Sequence, residues 1–273
     1  MSAETNLYPS GSIEYTFKMY TTYDQPISCS VQHANVREVV LEKLNNADEF
    51  DPSWQLTINT GPVQSVDEVD EIGNSIKEEI FDVLAFTLNT SISEITQNRP
   101  MLSPRPGEGG ILQCSLPGIV MNATVLVGCH KMSNDSVQQV QSALSKVSGE
   151  QLYPLISLFR HAIGIEEAVL RFLMLYLILY DLCGSQKKVD NRIKGVAPDT
   201  PETGYTYIND KGKPETKTET VYTRLRNEVN HRPNVRPEIS RNEIINNLDR
   251  FRDIVYKVLM SETLKSTIMR RTE

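Results

Sequence analysis

Residues 152–182 read LYPLISLFRHAIGIEEAVLRFLMLYLILYDL, and this stretch decides the architecture. It is dense in Leu, Ile, Phe and Tyr, with formal charge only at Arg160, Glu166, Glu167, Arg171 and Asp181. A helix apolar on most sides is either central in a bundle or part of an oligomer interface. The longest apolar run, Phe172 to Tyr180, is nine residues bracketed by Arg171 and Asp181. A bilayer needs about 20 apolar residues, so no membrane span is expected here. Gly184 follows, and a glycine in that place predicts the helix stop.

Toward the C-terminus, residues 186–194 form a short amphipathic piece. Residues 197–219, APDTPETGYTYINDKGKPETKTE, are polar and rich in Pro, Gly and Thr. They read as a long loop, of the kind that serves as a lid or stays disordered. A helix is predicted from Glu219 to Arg232, where Pro233 ends it. Ser240 with Glu243 has the spacing of a capping box. It would open a last helix carrying Ile244, Ile245, Leu248, Phe251, Val255, Val258 and Leu259 on its apolar side. Everything after residue 150 therefore reads as all-helical.

Toward the N-terminus the pattern changes to mixed α/β. Ile13–Tyr20 and Trp54–Asn59 alternate as half-buried strands do, and Ile27–Gln32 is a weaker strand. Val36, Val39, Val40 and Leu44 have helical spacing. Ser65 and Glu68 form a capping box before Val69, Ile72, Ile76, Ile80, Val83, Leu84 and Leu88, one buried helix face. Residues 98–110 form a loop by composition. Ile111–Leu116 and Ile119–Val127 read as strands, and a helix over 134–147 carries Val137, Val140, Leu144 and Val147.

Charge divides at the same place. Residues 1–149 hold 8 Lys+Arg against 18 Asp+Glu, net −10, and residues 150–273 hold 20 against 17, net +3. We therefore expect two domains, 1–149 and 150–273. A chain of 273 residues with 39% hydrophobic content has ample core material and is not disordered as a whole. An overall charge of −7 argues against a general nucleic-acid coat or a basic membrane-surface protein. Cys29, Cys114, Cys129 and Cys183 lack metal-ligand or CxxC spacing and read as reduced thiols. MSAETNLYPSGS at the start has neither the basic nor the apolar region of a secretory leader, so a cytoplasmic location is expected. There is no P-loop, GxGxxG, HExxH or GxSxG motif.

The chemistry is concentrated in Tyr222–Pro233, YTRLRNEVNHRP. On a helix, Val221, Tyr222, Leu225 and Val229 make an apolar stripe, and Arg226, Asn227, Asn230 and His231 fan over the adjoining arc. Arg226 and Asn230, like Asn227 and His231, are spaced i,i+4. A guanidinium is a planar fork for phosphate oxygens, and an imidazole exchanges protons near neutral pH. In RNA the 2′-hydroxyl is an internal nucleophile, so these groups suffice without a metal. Arg with His five to seven residues on recurs by chance in roughly half of such chains, but Arg-Asn-x-x-x-His in only about one or two per hundred. A solvated helix surface remains the competing explanation.

This segment resembles the signature of HEPN domains, small helical bundles marked by R-x(4–6)-H, commonly with Asn after the Arg. Residues 157–193, SLFRHAIGIEEAVLRFLMLYLILYDLCGSQKKVDNRI, are similar to the helix pair before the motif in the ApeA-like, MauJ-like branch. The resemblance covers about residues 150–260 and not the N-terminal domain. It implies an all-α HEPN-type bundle after an α/β domain, making the chain α+β. It implies a metal-independent endoribonuclease with no cofactor. It further implies a homodimer through the helical domain, with a composite site drawing Arg226 and His231 from both chains and Asn227 in support. Members act as toxins and anti-phage effectors, held inactive until triggered; others are non-catalytic nucleotide- or RNA-binding adaptors. The N-terminal domain would then bind an antitoxin or trigger. In members paired with nucleotidyltransferase antitoxins a Tyr stands two residues after the His; here that position is Pro233, so modification there is not implied.

Asn230, Arg224, Arg232 and Arg236 flank the motif and are candidate RNA contacts, although a solvated helix end explains them about as well. Tyr205 and Tyr207 are weaker candidates for base stacking. Arg160-His161 reads as an interfacial or core pair. Glu166, Glu167 and the acidic run Asp67 to Glu71 read as solvated faces, and His33 and His130 lack a ligand pattern.

Overall fold

The computed structural model describes residues 7–23, 25–44, 52–105, 130–147, 154–208, 212–231 and 237–270. The chain divides into two compact units, Met1–Pro154 and Leu155–Glu273. The fold is mixed α/β, with strands of an antiparallel sheet first and helices predominating after them.

The first unit contains β1 (Gly11–Met19), β2 (Thr21–Thr22), β3 (Ile27–Cys29), β4 (Val36–Lys43), β5 (Ser53–Thr60), α1 (Val66–Thr87), β6 (Ile92–Gln97), β7 (Met101–Leu102), β8 (His130–Lys131) and α2 (Asn134–Leu144). The sheet runs β3-β4-β5-β1-β6, antiparallel throughout, with β7 also on β1. β2 and β8 form a separate parallel pair. Period-two alternation puts Ile13, Tyr15, Phe17 and Met19 of β1 and Trp54, Leu56 and Ile58 of β5 on the core face. α1 covers them with Val69, Ile72, Ile76, Ile80 and Leu84. The contact is close at Gly73, where a Cβ would lie 2.7 Å from Ile13 Cγ2 and 2.9 Å from the Tyr15 hydroxyl. Ser65 caps α1 by accepting from the Glu68 N–H at 3.2 Å, and the Glu68 carboxylate accepts from the Gln64 N–H at 2.7 Å.

Two readings of this unit need correction. The residues from Val36 are a strand, not a helix. The β4–β5 register shifts between Val36 and Glu38, so Val36 and Val39 are both buried three apart. An extra residue in a strand thus imitates a helical interval. β6 was not anticipated: only Ile92 of its residues is buried, which leaves no alternation to read. The predicted strands Ile111–Leu116 and Ile119–Val127 lie outside the described residues, as do Cys114 and Cys129. Cys29 and Cys183 are free thiols. Burial, aided by Glu38, pushes the Cys29 thiol up to about 11.

The second unit contains α3 (Pro154–Ile163), α4 (Ala168–Cys183), α5 (Gln186–Val196), β9 (Glu202–Ile208), β10 (Pro214–Thr220), α6 (Val221–His231) and α7 (Pro237–Arg270). α4 packs along α7, and α5 and α6 also lie against α7. Phe251 centres the core. Its ring lies 5.0 Å from Phe172, 6.4 Å from Tyr176 and 4.4 Å from Tyr222, centroid to centroid. The segment 152–182 is two helices, broken after Ile163, because Glu167 caps α4 through a 2.6 Å bond from the Leu170 N–H. That bond, with Arg241 3.0 Å away, holds the Glu167 carboxyl below its ordinary range. Gly184 ends α4 in the left-handed conformation at φ 75°.

The unit is not all-helical. The expected loop 197–219 contains an antiparallel hairpin, β9 against β10, in register from Glu202↔Thr220 to Ile208↔Pro214. Thr and Tyr favour strand, but the apolar Ile208 near the tip is itself exposed, and among the described residues no buried-exposed alternation of apolar residues marks the strands. Ser240 is not a cap either. α7 begins at Pro237, suited to a first helical turn, and the Ser240 hydroxyl donates to Glu228 at 2.8 Å. Ile245 is half exposed, and Ile254 is buried instead. Among the described residues no single helix is long and apolar enough to cross a membrane; α4 and α5 reach that length only as a pair bent by 102°.

Candidate functional site

α6 starts where β10 ends, and a hydroxyl–carboxylate network fixes the junction. Thr220 is the helix N-cap: its Oγ1 accepts from the Thr223 N–H at 3.3 Å. Asp190 on α5 uses one oxygen, Oδ1, to accept from the Thr220 N–H at 3.1 Å, the Thr220 hydroxyl at 2.7 Å and the Thr223 hydroxyl at 2.6 Å. With its proton given to Asp190, Thr223 Oγ1 can only accept from Tyr176 on α4, 3.0 Å away. Burial pushes the Tyr176 phenol up to about 12, with Asp190 and Glu219 adding to the shift and Arg226 opposing it.

The motif is built on this base. Val221, Tyr222 and Leu225 are buried as the stripe requires, and Thr223 joins them; Val229 is exposed. Arg226 and Asn227 are half-buried. The Arg226 guanidinium stands over the Tyr176 ring, 5.7 Å from its centroid, and Nη1 donates to Asn227 Oδ1 at 3.0 Å. Asn227 Nδ2 donates to Glu219 Oε2 at 2.9 Å, and Gln186 Nε2 reaches the same oxygen at 3.3 Å. Glu219, on β10, is only 2% exposed. A guanidinium held across its face and along one edge is a pre-set fork of the geometry that matches phosphate oxygens.

Of the other candidates, Asn230 is exposed. Arg224 spends both ends of its guanidinium on carboxylates, Glu228 at 2.9 Å and Glu243, and so fastens α6 to α7. The backbone of His231 closes α6, while its side chain, Arg232 and Arg236 lie outside the described residues. Arg160 is buried and His161 exposed. Sequence reading missed Glu219, Gln186, Asp190, Thr223 and Tyr176. The one local signal was Thr220 with Thr223 ahead of an apolar stripe, the spacing of a capped helix start.

Among the described residues no cluster of His, Cys, Asp and Glu is placed to hold a metal ion. A shallow cavity of about 480 Å³ lies away from the motif, lined by Leu182, Cys183, Lys188, Asn191, Arg192 and Glu262. Comparison of the chain with family models, with curated proteins and with solved structures gives no match.

Proposed function

We propose that the C-terminal unit is a HEPN-type domain and that the protein is a metal-independent endoribonuclease of the cytoplasm, an effector of toxin or anti-phage type. The observation that carries this reading is the Arg226–Asn227 pair, held by Glu219 and Tyr176 rather than loose on a solvated face. Arg226 would clamp the scissile phosphate and stabilise the charge that develops on its oxygens. His231, in the last turn of α6, would move the proton. The 2′-hydroxyl attacks phosphorus, the P–O5′ bond breaks, and a 2′,3′-cyclic phosphate and a 5′-hydroxyl end result.

A homodimer belongs to this reading. Its support is the outer face of α4, where Leu170, Leu177 and Tyr180 are 49%, 44% and 40% exposed and Leu173 and Met174 half-buried between them. These positions follow one helical stripe, and Tyr176, which carries Arg226, borders it. A second copy seated there would bring two motif helices toward a shared axis. The acidic N-terminal unit would bind the trigger or antitoxin.

The test is cleavage of RNA in EDTA by the purified chain. Arg226→Ala and His231→Ala should each lose at least a hundredfold in rate, about 2.7 kcal/mol of transition-state stabilisation. Equal cleavage by either variant would reject the nuclease. The second reading is a non-catalytic RNA- or nucleotide-binding adaptor. It is favoured by Arg224, whose charge is already matched by Glu228 and Glu243. It predicts no cleavage by the wild type and loss of ligand in Arg226→Ala.

A further inference from the structure

We infer that Glu219 is the positioning residue of the Arg226 phosphate clamp, acting through Asn227 without touching substrate; this rests on the nuclease reading above. The argument begins with the polarity of an amide. Asn227 stands between a carboxylate, which can only accept, and a guanidinium, which can only donate. Its NH2 must therefore face Glu219 and its oxygen must face Arg226, as the 2.9 Å and 3.0 Å bonds have them. The two partners together leave the amide a single orientation, with the carboxylate anchoring its NH2 end.

Glu219 is suited to this by its place in the chain. It is the second-last residue of β10, paired in register with Thr203, and α6 begins two residues later. Its backbone is thus fixed by the hairpin on one side and by the Thr220 cap on the other. Gln186, the first residue of α5, donates to the same Oε2 and links a third element to the relay. A buried carboxylate is costly to desolvate, so its retention at 2% exposure fits a residue that orders donors around it. Without it, the Asn227 NH2 loses its anchor and the amide is free to swing aside. Arg226 then loses the oxygen along its edge and leaves its position over Tyr176. A displacement of about 1 Å in a group that stabilises a transition state costs roughly a hundredfold in rate.

The experiment uses the full chain as wild type, Glu219→Ala, Glu219→Gln, Asn227→Ala and Arg226→Ala. RNA cleavage is resolved into kcat and KM, and the Asn227 side-chain amide is followed by 15N NMR. Glu219→Ala should lose about a hundredfold in kcat with little change in KM. Glu219→Gln, whose Oε1 can still accept from Asn227, should keep most of the rate. Glu219→Ala combined with Asn227→Ala should be no worse than either alone, because both break one relay. A folded Glu219→Ala that cleaves like wild type while Arg226→Ala does not overturns the inference and leaves the nuclease reading standing. If Glu219→Ala does not fold, Glu219→Gln and Asn227→Ala carry the test, and wild-type kcat in Asn227→Ala overturns it. If the wild type cleaves nothing, the nuclease reading fails and the NMR decides the relay alone. Asn227 amide signals that move in Glu219→Ala, or in Glu219→Gln if the alanine variant does not fold, support it, and unmoved signals overturn it.

Discussion

At Tyr176 one hydroxyl ties α4 to α6 and, through Thr223, to Asp190 on α5. Only the protonated phenol can donate this bond. Its pKa is raised from 10.0 to about 12, so its contribution to stability is whole below pH 10 and is lost as pH rises from about 10 to about 12. Tyr176→Phe should therefore cost about 1 kcal/mol at pH 8 and lose less than wild type between pH 10 and 12. Urea denaturation at three pH values checks both, and an unchanged alkaline slope would refute the assignment. The same residues show how far sequence reading goes at this scale. Arg226 and Asn227 were legible because they share a helix and their spacing is informative. Glu219 and Asp190 were not, since their partnership exists only once a hairpin and a separate helix are folded against α6. Arg224 was read as a candidate RNA contact or a solvated helix end because its ion pair with Glu243 spans two helices.

Elements were legible where one face is apolar and the other wet. α1, α2, β1 and β5 have that contrast, and their alternation or helical spacing follows burial closely. β4 was misread because a bulge imitates helical spacing, and the hairpin because its strands bury side chains only at the base. Gly73 in α1 tests the packing of helix on sheet. Helix propensity alone would favour Ala there by about 1 kcal/mol. The approach to Ile13 and Tyr15 reverses the sign, and Gly73→Ala should destabilise the first unit by about 1–3 kcal/mol. Denaturant titration decides, and a stabilised variant would mean the contact is looser than described. On α4, Leu177→Glu places a charge in the exposed stripe. If the proposed dimer uses this stripe, sedimentation should show the variant as monomer with its helix content retained, and a variant that sediments like wild type would refute the stripe as the interface.

At the scale of the whole molecule, each unit has its own core, and the chain's one tryptophan reports on just one of them. Trp54 is fully buried in the first unit, where its indole donates to the Thr21 carbonyl at 3.1 Å. Phe251 centres the aromatic cluster of the other unit. Phe251→Ala should cost that unit about 3–5 kcal/mol. The far-UV helix signal should then melt early while Trp54 fluorescence keeps its own midpoint. Midpoints that shift together would show that the two units unfold as one, and a single unfolding free energy would then describe the chain. The charge contrast between the halves is readable from sequence, because composition survives without knowledge of contacts. The helical purity of the second half was not, since a hairpin of Thr, Glu and Lys has the composition of a loop.

The hairpin also governs how this protein tolerates change in length. Successive strand residues face opposite sides, and the base is pinned where Glu219 pairs with Thr203 beside the motif. Removing two residues from each strand would shorten the arm and leave every surviving side chain on its original side. Removing one from each would turn the outer part over relative to the base. Natural relatives and engineered variants alike should therefore differ here by even steps per strand, with the junction into the helix left intact.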